Sequence, residues 1–344
     1  LGPEGSGPWL SFRHWVDSCT QHRLSGWTTA PTITVAVNDG PIARLTPSTP
    51  RPDLIEAGIG PGHGFDLFFP GPLWPDDEIS IHGPDGSVLR RRMDEGVAGR
   101  IAELTRHFDP ARQVGLEIGP LDRPLIPKSR FRVSYLDQAP KSDLAPRYTG
   151  HGVHIPALID PDFACGSRDF VDVVGDLRFD YCVASHVIEH VPDMIGWLWQ
   201  IHAVLKDRGV LALAIPHAEK TFDAKRNLTT FAELTEAYFG KFTQPNARQI
   251  MDDIQGSAAY HGTDALEAAF RGFHLANHAR KVGLYCDTHC TVFTPHSFRD
   301  ILLCLDRCEL LGFQLLSMGY RGDDEFTAHL VKCATKTLPD HIKP

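Results

Sequence analysis

Two hydrophobic periodicities divide the chain. From Trp9 to about Arg92, apolar residues alternate in short runs at 32–37, 42–45, 65–69 and 78–81, broken by Gly and Pro. Runs of this kind, bounded by turn residues, predict β-strands. Asn38-Asp39-Gly40 between two of them predicts a hairpin, because these residues tolerate the positive φ of a tight turn, and Gly83-Pro84-Asp85-Gly86 predicts another turn. The pattern predicts a small all-β sandwich domain over residues 1–92.

Beyond Met93 the period lengthens. Val97, Ile101 and Leu104 recur at helical spacing and predict a linker helix within 93–111, ended by Asp109-Pro110. Apolar runs and helical stripes then alternate, as in a doubly wound α/β domain, here set at 112–344. Strands are predicted at 114–118, 132–136, 170–176, 181–184 and 210–215. A helix over 193–206 keeps Met194, Trp197, Leu198, Ile201, Val204 and Leu205 on one face and puts Gly209 where a left-handed C-terminal residue belongs. A polar insertion from His217 to about Tyr285, with helical pieces at 231–239 and 265–270, is too long for a connection and predicts a lid or substrate wall. Strand and helix resume at 291–293, 297–307, 313–318 and 328–333.

Composition adds limits. A chain of 344 residues, 42% hydrophobic and 22% charged, suits two ordinary folded domains. A net charge of -9 argues against phosphate recognition, and the one basic run, Arg90-Arg91-Arg92, is followed by Asp94 and Glu95 and reads as a solvated helix start. No nucleic-acid partner is expected. No window approaches the ~20 apolar residues of a membrane span, and the opening lacks a signal-peptide layout, so a cytoplasmic location is expected. The Gly/Pro/Ser-rich run Leu1 to Ser6 is set aside as an appended tail. Eight cysteines without a C-x-x-C pair predict reduced thiols.

The chemistry-bearing residues cluster at predicted strand ends. In Leu116-Glu117-Ile118-Gly119 a strand ends in an acid followed by Gly, which lets a ligand approach the backbone while the next helix N-terminus supplies N–H donors. Pro120, Leu121 and Asp122 stand where a dinucleotide motif would continue. Asp137 follows Glu117 by twenty residues, at the end of the next strand, where a carboxylate accepts ribose hydroxyls. His186-Val-Ile-Glu189-His190 satisfies the H-x-x-E-H pattern of a zinc-peptidase class. An apolar strand directly precedes it and Pro192 follows, so the long helix of that class is not expected and no metal ligand is assigned.

Glu117-Ile118-Gly119, Tyr135-Leu136-Asp137, Phe179-Asp180-Tyr181 with Ser185 to Asp193, and Leu205 to Leu211 resemble the successive motifs of class I S-adenosylmethionine-dependent methyltransferases, over roughly 112–218. The resemblance implies a Rossmann-like, doubly wound seven-stranded sheet and S-adenosylmethionine as methyl donor. It places Glu117 and Gly119 near the methionine part and Asp137 on the ribose, with Pro120, Asp122, Ser185 and His186 around the donor and Asp172 or Asp176 near the adenine. The T-F-D-x-x-R-x-x-T segment from Thr221 resembles a bacterial methyltransferase subset associated with polysaccharide loci. Coming off a strand end, His217 and Asp223 are expected to face the cleft; Thr221, Asp223 and Arg226 also fit a helix cap with an i, i+3 ion pair. Asp287-Thr288-His289 adds groups at loop level. His186, His217, Asp223 and His289 are the candidate catalytic bases; with Asp287, the last three could instead hold a divalent cation.

Gly26-Trp27, Arg51-Pro52-Asp53 and Gly62-His63-Gly64-Phe65 resemble an accessory β-domain of bacterial surface-polysaccharide assembly proteins, although Trp27 and Phe65 also read as core and Arg51/Asp53 as an ion pair. The expectation is a methyltransferase acting on a sugar hydroxyl of a nucleotide-sugar or glycan, with polysaccharide-assembly partners reached through its N-terminal domain. The alternatives are a non-catalytic S-adenosylmethionine- or glycan-binding module, and a metal-dependent hydrolase built on H-x-x-E-H.

Overall fold

The computed structural model describes residues 12–283, 285–333 and 336; the Leu1 to Ser6 tail and the Trp9 start of the predicted β region lie outside them. Internal contacts divide the chain between Ala102 and Glu103.

The first unit contains β1 (His14–Cys19), β2 (Arg23–Thr28), β3 (Ile33–Val37), β4 (Gly40–Leu45), β5 (Thr49–Pro50), the short helix α1 (Pro52–Glu56), β6 (His63–Phe68), β7 (Ile79–His82) and β8 (Val88–Arg91). They form two four-stranded antiparallel sheets, ordered β1-β2-β6-β5 and β4-β3-β7-β8. Asn38 and Asp39 take the positive φ values of the β3–β4 turn, 49° and 64°, so Gly40 already belongs to β4. The Arg90–Arg92 run does not start a helix. Arg90 and Arg91 sit on β8 and pair with Glu78 and Asp94. Trp27 and Phe65 are buried, and Arg51 holds Asp53 and Asp17, each at 2.8 Å, so these residues have structural roles.

The helix α2 (Glu95–Leu104) crosses the division. The second unit then runs β9 (Gly115–Ile118), β10 (Val133–Asp137), α3 (Lys141–Tyr148), β11 (Phe163–Ala164), α4 (Phe170–Val174), β12 (Phe179–Ser185), α5 (Met194–Val204), β13 (Leu205–Pro216), α6 (Phe231–Phe239), α7 (Ala247–His261), α8 (Ala265–Val282), α9 (Pro295–Arg307), β14 (Phe313–Tyr320) and β15 (Glu325–Lys332). The sheet is seven-stranded, ordered β11-β10-β9-β12-β13-β15-β14, parallel except for β15, which runs antiparallel to both neighbours. Strand order reverses between β9 and β12, which opens a crevice beyond their carboxyl ends. Leu116, Cys182, Leu211 and Leu213 are fully buried in the sheet, and Ile201 and Phe298 pack on it from α5 and α9.

Four expectations are corrected. Residues 170–176 are not the third strand: Phe170 and Val174 are the buried positions of α4, Gly175 ends that helix at φ 62°, and the third strand is β11, paired with Leu136 and Asp137. The β9–β10 connection holds no helix. Pro120, Pro124 and Pro127 remove amide donors and exclude helical conformations before them, so the chain crosses as an irregular loop. The helix predicted over 193–206 ends at Val204, and the left-handed residue is Arg208 (φ 60°) rather than Gly209. Residues 291–293 contribute one bridge, His217 to Phe293, rather than a strand.

The insertion is mostly helical. α6 matches its predicted range, α8 continues past residue 270 to Val282, and α7 escapes the sequence reading although Asn246 and Gln249 form a reciprocal capping box at its start. All eight cysteines are free, five of them buried. Among the described residues no helix is long and apolar enough to cross a membrane.

Candidate functional site

A cavity of about 410 Å³ lies at the carboxyl ends of β9, β10 and β12, a volume within the range of small-ligand sites. Its walls include Gly119 after β9, Asp137 and Gln138 at the end of β10, Cys165 and Gly166 after β11, and His186 and Val187 after β12.

Gly119 is there for a steric reason. Its φ is 65°, and a Cβ on it would stand 2.8 Å from Val187 Cγ2, so a side chain would push against the opposite wall. Leu121 takes φ 47°, a left-handed conformation that glycine would adopt without strain. The loop is held from below by Glu117, which is 3% exposed and whose two oxygens accept the N–H groups of Leu125 and Ile126 at 2.6 and 2.9 Å. The Tyr135 hydroxyl donates to Ile126 O at 2.6 Å. Glu117 therefore clamps the proline loop instead of lining the cavity, and no helix N-terminus supplies donors. Glu117→Gln is expected to cost roughly 1–3 kcal/mol, since an amide group cannot accept both N–H bonds; a denaturation midpoint equal to wild type would contradict this role.

Asp137 meets the cavity at the end of β10, one of three wall carboxylates with Asp193 and Asp287. Burial pushes its pKa up to about 6, offset only in part by the Gln138 N–H at 2.7 Å and by Arg147. Asp137 is half-buried, and these partners only partly offset the loss of solvent around its carboxylate. Asp172 and Asp176 are exposed and lie off the cavity wall, which after β11 is built from Cys165, Gly166 and Ser167. Pro120, Asp122 and Ser185 are also off the wall: Asp122 is buried and accepts from His154 N at 2.8 Å.

Of the four candidate bases only His186 borders the cavity. It sits at φ 54°, exposed, with Nε2 2.8 Å from Glu325 Oε2. A carboxylate only accepts, so Nε2 carries the proton and Nδ1 is the basic nitrogen. One 3₁₀ turn, Ile188–His190, follows, so His186 and His190 do not share a helix face as the H-x-x-E-H peptidase pattern requires. His217 is buried away from this wall, its Nδ1 accepting from Glu219 N and its ring against Tyr320. Asp223 is buried, capped by Thr221, paired with Arg226 at 2.7 Å and with His289 Nδ1 at 2.7 Å. The cap-and-ion-pair reading thus describes Asp223, and the cleft-facing expectation for both residues is corrected.

Sequence reasoning missed the wall residues Tyr148 and Tyr285, whereas it placed Asp287 among its loop-level candidates. Asp287 accepts from Tyr148 at 3.1 Å and pairs with His190 Nδ1 at 2.8 Å; burial opposes its charge, but the His190 contact holds its pKa below the usual carboxylate range. Burial, with Asp287 adding to it, raises the Tyr148 and Tyr285 hydroxyls. His190 was visible in its motif; Tyr148, on α3, and Tyr285 carry no local signal.

A reversed sheet of this strand order, with an acid at the end of its second strand and a cavity above it, defines the class I methyltransferase fold. A family comparison matches residues 39–304 to the methyltransferase domain, and the chain belongs to that family. Its methyl donor is S-adenosylmethionine. No curated protein matches the chain. Similar solved structures include the mitomycin 7-O-methyltransferase MmcR, 12% identical over 69% of this chain with a TM-score of 0.33; the chain spans 55% of its length. The N-methyltransferase NodS from Bradyrhizobium japonicum WM9 is 12% identical over 68% of this chain and 94% of its own, with a TM-score of 0.31. The glycopeptide N-methyltransferase MtfA, complexed with S-adenosyl-L-homocysteine, is 13% identical over 68% of this chain and 89% of its own, with a TM-score of 0.33.

Proposed function

We propose that the chain O-methylates a sugar hydroxyl of a nucleotide-sugar or glycan in cytoplasmic steps of bacterial surface-polysaccharide biosynthesis. The half-buried carboxylate of Asp137 at the cavity, its pKa raised by burial, carries the donor assignment. The sugar acceptor is supported by the resemblance of the Thr221 segment to polysaccharide-associated methyltransferases. Residues 1–92, read as a β-sandwich domain, would contact the glycan or an assembly partner.

The donor supplies an electrophilic methyl group on a sulfonium, so the protein's task is chiefly alignment. Asp137 would accept hydrogen bonds from the two ribose hydroxyls, and the bare backbone at Gly119 would leave room for the methionine end. Cys165 and Gly166 would hold the adenine. His186, held through Nε2 by Glu325, removes the acceptor proton at Nδ1 as charge develops on the oxygen.

The test is incubation with labelled S-adenosylmethionine and candidate nucleotide-sugars or polysaccharides, with mass spectrometry for a gain of one methyl group. His186→Ala is expected to lower turnover by roughly 10²-fold or more with donor affinity unchanged. Donor binding without any methyl gain across sugar acceptors would favour the non-catalytic module, and full turnover of the His186 variant would remove this base.

A further inference from the structure

We propose that Glu189, His190 and His289 form a binding site for a divalent first-row transition cation. Glu189 has a side chain 2% exposed, and both of its carboxylate oxygens lack a hydrogen-bond partner among the described residues. A buried carboxylate in that condition is costly unless a cation compensates it. Two imidazole nitrogens stand beside its Oε1 beyond hydrogen-bond reach, His186 Nδ1 at 3.6 Å and His190 Nε2 at 3.8 Å. One donor atom each from Glu189, His190 and His289 fall within 4.8 Å of one another, close enough for a single ion to reach all three.

Each of the two imidazoles has a carboxylate beside it. His190 Nδ1 lies 2.8 Å from Asp287 Oδ1 and His289 Nδ1 lies 2.7 Å from Asp223 Oδ2. Because a carboxylate only accepts, the Asp223 hydrogen bond puts the proton of His289 on Nδ1 and leaves its Nε2 with a lone pair, whereas His190 Nδ1 is close to Asp287 without a hydrogen bond to it. Carboxylate-backed histidines of this kind are the usual support of metal-ligating imidazoles. Cys290 N and Thr291 N both donate to Glu189 O, which ties the segment bearing His289 to the one bearing Glu189 and His190. The neighbouring group of Asp223, Asp253 and His289 has a similar spacing, but Arg226 already neutralises its carboxylates, at 2.7 and 3.3 Å.

Two imidazoles and one carboxylate suit Mn²⁺, Fe²⁺, Co²⁺ or Zn²⁺ better than Mg²⁺ or Ca²⁺, which favour all-oxygen shells. Three protein ligands leave coordination positions open, and His190 and Asp287 are on the wall of the cavity. On the methyl-transfer reading, an acceptor oxygen would occupy one of those positions. The ion site itself does not depend on that reading.

The experiment uses the full chain, stripped with chelator and titrated with Mn²⁺ in the absence of donor and acceptor, followed by electron paramagnetic resonance. The expected result is one bound Mn²⁺ per chain with histidine-nitrogen couplings. Glu189→Gln and His289→Gln are each expected to weaken binding by about tenfold or more. Wild-type protein that binds no Mn²⁺ at millimolar concentration, or binds it without nitrogen couplings, overturns the proposal and leaves a shared proton as what satisfies Glu189. Because the wild-type spectrum decides, a variant that fails to fold cannot shield the idea. S-adenosylmethionine binding, measured separately by calorimetry, tests the methyl-transfer reading without touching this one.

Discussion

Asp137→Asn is expected to abolish measurable S-adenosylmethionine binding while making the free protein more stable. Two hydroxyl donors to a half-buried carboxylate contribute roughly 3–5 kcal/mol together, which corresponds to about 10²–10⁴-fold in affinity. Stability should move the other way. Burial raises the carboxyl pKa from its ordinary 3.8 to about 6, so its ionised form is disfavoured in the folded state. That cost is fully present above pH 6 and fades as pH falls through 6 towards 4. The Asn variant is therefore expected to show a higher Tm than wild type at pH 8 and no advantage near pH 4. Donor binding to wild type should release a proton near pH 6, because hydroxyl donors favour the carboxylate. Calorimetry in buffers of different ionisation enthalpy measures that proton, and an affinity loss below tenfold in the variant would show that the ribose is held elsewhere.

The largest expected loss of stability is at Arg226→Met. The Arg226 side chain is 1% exposed and reaches Asp223 at 2.7 Å, Asp252 at 2.8 Å, Asp253 at 3.3 Å and the His289 carbonyl at 2.8 Å. Space for it is made by Gly256 of α7, where a Cβ would stand 2.1 Å from Arg226 Cγ. Removing the cation leaves Asp223 with His289 alone and the half-buried Asp253 without its guanidinium, which costs about 3–5 kcal/mol; Asp252, 36% exposed, adds little. Burial already raises the Asp253 pKa against the opposing pull of Arg226, while Asp223 is held low against its burial by His289 and Arg226; without Arg226 both carboxyls shift up. Protonation then relieves the variant as pH falls, so its deficit is expected to be smaller at pH 5 than at pH 8. Chemical denaturation at the two pH values measures this; a deficit independent of pH would mean that lost packing, not charge, is responsible.

How far the sequence speaks for this molecule depends on the length over which a signal repeats. β9, β10 and β12 were legible because several consecutive apolar residues sit between turn formers, and Asp137 was legible from its distance to Glu117. β11 has two residues, too few for any periodicity, and its place was given to the apolar run of α4, which is short enough to read as either element. The loop after β9 failed for a different reason. Its three prolines are plain in the sequence, but the motif preceding them suggested a helix, and local chemistry prevailed over the analogy. His217 and Asp223 leave a strand end, yet whether a side chain turns to a cavity or to an arginine is settled by tertiary neighbours such as Asp253 and His289. Tyr148, Tyr285 and Asp287 meet only through packing of distant segments, which no spacing records.

The proline loop also has an entropic consequence. Pro120, Pro124 and Pro127 restrict the unfolded chain, so less conformational freedom is lost when the segment orders. The clamp by Glu117 then fixes two of its amides. The loop behind Gly119 and Leu121 is in this way preordered, stiffened by covalent rings where a helix would have used hydrogen bonds. A ligand entering there has little ordering left to offset, and its binding energy can go instead to the orientation of the reacting groups.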